Sequence, residues 1–306
     1  MMLRRDCVWG GLGLLLLWGG TLGACGARGQ APSATAAGTV LAQFEDARAL
    51  AVDPRGRLYV ADAGRDAVDI LEPDGTRRAT IGGPGSRPGA FDTPSDVDPT
   101  NGQLLLVADT YNGRVQRFSG EGQYLESLPV GRVERGASGE WTFEDGRGGS
   151  PVQGQGTPIA VARDDEGAVF VLDARDRRLL KWSAVGQAEA RLVGQAGQLQ
   201  DPVALAVGPG RRLYVADAGR EAVLVYDTFG TVRRRVTGVC SAMQALTVHR
   251  DRLWVICADR VLGWDRAEGV VAEHPVDLEA PLVDVAFGRG HVYLLTETTL
   301  RRRPRW

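Results

Sequence analysis

The sequence predicts an all-β fold, a six-bladed β-propeller whose ring is closed by an N-terminal outer strand, and three observations carry that expectation. Leu58 to Val68 reads LYVADAGRDAV and Leu213 to Val223 reads LYVADAGREAV, agreeing at ten of eleven positions across 155 residues. The 41 Gly and 15 Pro fall between short apolar runs, the punctuation of strands and turns rather than of helices. The acids Asp62, Asp109, Asp173 and Asp217 recur at intervals of 47, 64 and 44 residues, the length of a four-stranded blade with one insertion.

Further copies fill the gaps. Leu105 to Val115 (LLVADTYNGRV) and Val169 to Leu179 (VFVLDARDRRL) lie between the near-duplicates, while Leu253 to Leu262 and His291 to Leu300 are degraded versions beyond them. In each copy an apolar first strand (Ala49 to Val52, Ile159 to Ala162, Val203 to Val207, Ala245 to Val248, Val283 to Phe287) precedes a turn and the signature strand. An alternating third strand and a polar fourth follow. Inner strands covered on both faces should be apolar throughout, and the outermost can carry arginines such as Arg77, Arg78 and Arg233 to Arg235. The last copy ends after its third strand, and Thr39 to Phe44 (TVLAQF) precedes the first full repeat like an orphan fourth strand. Pairing the two closes the ring and removes two free sheet edges. Five blades with a loose C-terminal strand pair is the competing count.

These residues carry a family resemblance. Asp109-Thr110-Tyr111-Asn112-Gly113-Arg114-Val115-Gln116-Arg117-Phe118, after Leu105-Leu106-Val107-Ala108, resembles the signature of NHL repeats, and the likeness extends from about Thr39 to Arg303. The copies at Asp62 and Asp217 place Gly64-Arg65 and Gly219-Arg220 where asparagine is usual. The resemblance implies a propeller, and it leaves enzymatic and binding functions both open.

Residues 1–24 read as a lipoprotein signal peptide. Arg4 and Arg5 precede an apolar stretch from Val8 to Gly20, and Leu22-Gly23-Ala24-Cys25 resembles the lipobox. Cys25 would then carry the lipid. The stretch is too short and too interrupted by glycine for the roughly 20 apolar residues of a membrane span. Residues 25–38 follow as a small, polar tether, and residues 39–306 form the propeller, with an insertion at about 132–156. A cell-envelope location on the non-cytoplasmic side is expected. Gly26, in place of an aspartate after the cysteine, favours an outer membrane where the cell has one.

A formal net charge of −2 excludes the basic field that nucleic-acid binding usually requires. The repeated acids, spread one to a blade, cannot converge on one substrate and are expected to cap turns. Arg65, Arg114, Arg175 and Arg220 would lie in loops on one face, either paired with neighbours such as Asp66, Asp176 and Glu221 or free to meet an anionic partner. Trp141 and Phe143 in the insertion would add aromatic anchors to that face or sit in a tolerated loop. Cys240 and Cys257, at one end of a hairpin, can pair in an oxidising compartment or remain free thiols. The tail Arg301 to Trp306 (RRRPRW) reads as a frayed end or a contact to anionic lipid.

NHL-like lyases and lactonases use histidines or acids at the axial channel, usually with a metal. Here His249 and His291 are expected in turns and His274 in an outer strand, away from the axis. The acids that could face the channel are Asp96 and Asp284, with Asp46 and Gln244 as lesser candidates; lone acids at such places more often bond the backbone of a neighbouring blade. No catalytic set, metal or cofactor is therefore assigned. The expected function is a membrane-tethered, non-enzymatic module binding a protein, peptide or glycan, with a lactonase-like or antibiotic-lyase-like enzyme as the alternative.

Overall fold

The computed structural model describes residues 38–99, 101–135, 141–144, 156–182, 191–193, 199–227, 229–265 and 269–306. The signal segment, Cys25 and the tether as far as residue 37 lie outside them.

Strand β1 is Thr39–Gln43. Blade one comprises β2 (Ala47–Val52), β3 (Leu58–Asp62), β4 (Ala67–Leu71) and β5 (Arg77–Gly82), and blade two β6 (Pro94–Asp98), β7 (Leu104–Asp109), β8 (Arg114–Ser119) and β9 (Tyr124–Pro129). A two-stranded ribbon, β10 (Arg132–Arg135) and β11 (Trp141–Glu144), stands in the insertion. Blade three is β12 (Pro158–Arg163), β13 (Val169–Asp173), β14 (Arg178–Trp182) and β15 (Arg191–Val193). Blade four is β16 (Pro202–Gly208), β17 (Arg212–Asp217), β18 (Ala222–Tyr226) and β19 (Val232–Val236). Blade five is β20 (Met243–His249), β21 (Arg252–Cys257), β22 (Arg260–Asp265) and β23 (Gly269–Pro275). Blade six has β24 (Asp284–Phe287), β25 (His291–Leu295) and β26 (Thr299–Pro304), completed by β1.

All strand pairs within the blades are antiparallel, and β1 pairs with β26 from Thr39↔Arg302 to Gln43↔Thr299. The ring is thus six-bladed and closed by the N-terminal strand, as the sequence predicts. Each innermost strand neighbours the next, and β24 touches β2 to complete the circle. The tail is not frayed, because β26 runs to Pro304 between β25 and β1 and Trp306 packs against a buried cluster.

Apolar packing is divided among the junctions between blades. One cluster sits at each of the six, for example Tyr59, Ile70, Phe91, Leu105 and Phe118 between blades one and two. The second and third strands supply most of it: β3, β4, β17 and β18 are almost wholly buried, while β5 and β19 face water. Non-polar area removed from water on both faces of these strands is what holds the blades together.

The repeated acids tie each blade internally. Asp62 accepts N–H bonds from Glu45 and Asp46, Asp109 from Asp92, Asp173 from Thr157, and Asp217 from Gln200 and Asp201. Each acid therefore clamps the loop leading into its blade's first strand rather than capping its own turn. In blade five the register puts Cys257 at this place, opposite Met243 as Asp62 is opposite Ala47. Cys257 is disulfide-bonded to Cys240, 17 residues back, the same separation as Asp62 to Glu45. A covalent bond replaces the carboxylate clamp.

Candidate active site in the axial channel

The innermost strand of every blade has one free edge, and the six edges surround a cavity of about 310 Å³. Unpaired backbone N–H groups on such an edge need acceptors. In five blades a bulge lies after the first residue of the inner strand, re-aiming the side chains beyond it. The next register position is Ala49, Ala160, Ala204 and Ala245 in four blades but Asp96 and Asp284 in blades two and six. Two residues on, Ala51, Ala162, Ala206 and Ala286 alternate with Asp98 and Thr247. The second set of alanines lines the cavity together with Asp96, Asp98 and Asp284, whereas Ala49, Ala160, Ala204 and Ala245 pack between blades.

Each acid reaches across a blade boundary. Asp96 Oδ2 accepts the Val161 N–H at 2.7 Å, Asp98 Oδ2 the Arg163 N–H at 2.6 Å, and Asp284 Oδ2 the Leu50 N–H at 2.8 Å. The other oxygens of Asp96 and Asp284 accept from the following residue, Val97 and Val285. Burial raises the Asp284 carboxyl to about 7, against the lowering effect of these N–H donors. Asp96 is raised well above the usual carboxylate range by burial first, with the charges of Asp284 and Asp98 adding to it and the N–H donors opposing. The channel thus holds two carboxyls whose proton affinity burial raises, Asp284 to about 7, the kind of perturbed pair that general acid–base chemistry uses.

His249 corrects the sequence expectation. Strand β20 runs through it, pairing His249 with Arg252, so the turn is carried by Arg250 and Asp251 and the histidine lines the axial cavity. His274 lies in outer strand β23, as expected, and His291 opens β25, exposed, near the Arg289 carbonyl. Asp46 pairs with Arg48, Gln244 is exposed, and neither lines the cavity.

A metal of the kind the repeat resemblance implies does not fit these residues. Both oxygens of Asp96 and of Asp284 are engaged by backbone N–H groups. Among the described residues no three His, Cys, Asp or Glu side chains gather as a metal-binding group, whereas calcium takes six to eight oxygens.

The arginines of the signature loops have other tasks. Arg114 is buried, with Nε on Asp109 at 2.7 Å and Nη2 on the carbonyls of Arg87 and Ala90, so it is an internal ion pair and no part of an exposed face. Arg65 meets Asp69 and Asp62, and Arg220 meets Asp217. For Arg65, Arg114 and Arg220 the partners include the repeat acids and a third-strand acid, because the loop folds back over its own blade. Arg175 is exposed and engaged by a neighbour. Trp141 and Phe143 stand on β11, opposite Arg135 and Val133.

No family model matches the chain. Among solved structures it is similar to a gluconolactonase from Xanthomonas campestris, with a TM-score of 0.65 at 16% identity over 89% of this chain and 92% of that one. It is also similar to a streptogramin B lyase, with a TM-score of 0.59 at 11% identity over 85% and 93% of the two chains. A virginiamycin B lyase from Staphylococcus aureus gives a TM-score of 0.59 at 11% identity over 87% and 98%. The likeness is one of fold.

These neighbours are enzymes, and that corrects the expectation of a non-enzymatic binding or scaffold module. The expectation leaned on an axis without converging acids or histidines. The axial cavity instead holds Asp96, Asp98, Asp284 and His249 together. The sequence signal for Asp98 and Thr247 was the broken alternation of alanines in the first strands.

Proposed function

We propose that the protein is a hydrolase or lyase acting in the axial channel, in the manner of a lactonase, with Asp96 and Asp284 as an acid–base pair. The observation that carries the reading is the meeting of these two carboxyls in one cavity lined by the first strands of all six blades, with Asp284 near 7. A volume of about 310 Å³ sits at the small end of the roughly 300–1,000 Å³ of ligand pockets, which favours a small cyclic ester over a large macrocycle. Ionised Asp284 takes a proton from water as its oxygen attacks the ester carbonyl, and protonated Asp96 gives its proton to the departing ring oxygen. The acyl C–O bond breaks, a new C–OH forms, and the product is an open hydroxy acid. The fold likeness to a gluconolactonase supports the hydrolytic form.

The test is acid release from a panel of lactones, glucono-1,5-lactone and dihydrocoumarin among them. Turnover is expected, falling about 100- to 10,000-fold in Asp284→Asn and Asp96→Asn while circular dichroism stays native. A product with a new carbon–carbon double bond identifies elimination instead, the lyase form of the same proposal. No ring opening with any member, or undiminished turnover in both variants, refutes it.

We also propose that Cys25 is lipidated and holds the propeller on the non-cytoplasmic side of a membrane, the outer one where present. The lipobox-like LGAC supports this, as does the Cys240–Cys257 disulfide, a bond suited to an oxidising compartment. Mass spectrometry of the N-terminal peptide should show acyl chains on Cys25 and none in Cys25→Ala; an unmodified Cys25 in membrane fractions contradicts it.

A further inference from the structure

At the seam between blades five and six lies a second cavity, of about 470 Å³, walled by residues of β20, β21, β23, β24 and the C-terminal tail. Ala272 apart, its lining is aromatic or basic and includes no Asp or Glu side chain. The rings form a continuous wall: His249 stacks on Phe287 at 5.0 Å, Phe287 meets Trp254 at 4.9 Å, and His274 stacks on Trp306 at 4.5 Å. Arg252, Arg303 and Arg305 lie over Trp254, Trp306 and Phe287. Among the described residues none of the three has an acidic partner within ion-pair reach.

Buried polar atoms in folded proteins nearly always find a hydrogen-bond partner. Four side-chain nitrogens of the described residues do not: His249 Nε2, Trp254 Nε1, Arg305 Nε and Trp306 Nε1. All four belong to residues lining this cavity, His249 being shared with the axial one. Trp254 itself is 8% exposed. Arg305 is fixed by its Nη2 on the Gly288 carbonyl, which leaves Nε unpartnered, and both burial and the charge of Arg250 press on its guanidinium.

We infer that this seam is a binding site for a small aromatic carboxylate, distinct from the reaction in the channel. The ring lies against the aromatic wall in the offset or edge contacts that aromatic pairs favour. The carboxylate accepts the orphaned indole and guanidinium N–H groups, and bonds of that charged kind are the strong ones. The arginines supply the countercharge.

The probe is 1-naphthoate, titrated calorimetrically against the folded chain, with 1-naphthalenemethanol and acetate as the neutral and ringless controls. Naphthoate should bind one to one, at least tenfold tighter than the alcohol, and acetate should give no measurable heat. Arg305→Gln and Trp306→Phe should each weaken naphthoate about tenfold with little change in thermal midpoint, and Asp284→Asn should leave it unchanged, so this result stands or falls apart from the channel chemistry. No heat with naphthoate, equal affinity for the alcohol, or unaltered binding in both seam variants overturns the assignment.

Discussion

Asp284 carries two consequences at the scale of one side chain. Its carboxyl titrates near 7 in the folded protein against an ordinary 3.8, so the folded state holds this proton more tightly than the unfolded chain between those values. The associated stability is fully present below about pH 4 and is lost as pH rises through about 7, an effect on the order of a few kcal/mol. Chemical denaturation of the wild type should therefore show stability falling over that window from this group, and Asp284→Asn should flatten the fall; an unchanged slope in the variant contradicts the burial argument. Asp96 and Asp284 were legible in the sequence because an acid within an apolar first strand needs a reason. His249 was not. Its turn uses Arg250 and Asp251 in left-handed conformation, φ 51° and 62°, without the Gly or Asn that normally marks such a turn. The strand end therefore read one residue too early.

Blades differ in how the loop before the first strand is held. Four use an aspartate and blade five a disulfide, a substitution visible only when register aligns Cys257 with Asp62. Closing a loop of about this length contributes roughly 3 kcal/mol in the chain-entropy account. Cys240→Ala with Cys257→Ala should lower the thermal midpoint by several degrees, and Cys240→Ala with Cys257→Asp should recover part of the loss by restoring the carboxylate. Equal midpoints for the two double variants would show that the positions are not equivalent. The glycine of the AGR loop belongs to the same device. A Cβ on Gly64 would stand 2.7 Å from Glu45 Cβ, and one on Gly219 2.9 Å from Gln200 Cβ, in the clamped loops. Gly219→Ala should cost about 1–3 kcal/mol by overpacking, measured by urea denaturation.

Closure governs the whole molecule. Because blade six takes its outermost strand from the N-terminus, the ends of the described chain are stapled by β1–β26 pairing and share the Phe44, Leu58 and Leu295 cluster. Removing residues up to 37 should leave the midpoint unchanged, whereas removing them through Gln43 should lower it and promote aggregation through the bared edge. Repeat spacing and the orphan strand made this architecture readable from the sequence, since each blade repeats one pattern. The site was less readable, because it arises where residues of blades two, five and six meet at the axis. Asp96 and Asp284 are 188 residues apart in the chain, and only the ring brings them to one cavity, where the charge of Asp284 acts on Asp96.

The most direct test of that meeting is the pH dependence of kcat/KM for opening a small lactone by the wild type and Asp284→Asn. An acid–base pair in the channel predicts a rate that rises with an apparent pKa near 7 in the wild type, and a rate at least 100-fold lower without that limb in the variant. A lactone opened by both proteins with the same pH profile and rate would contradict it.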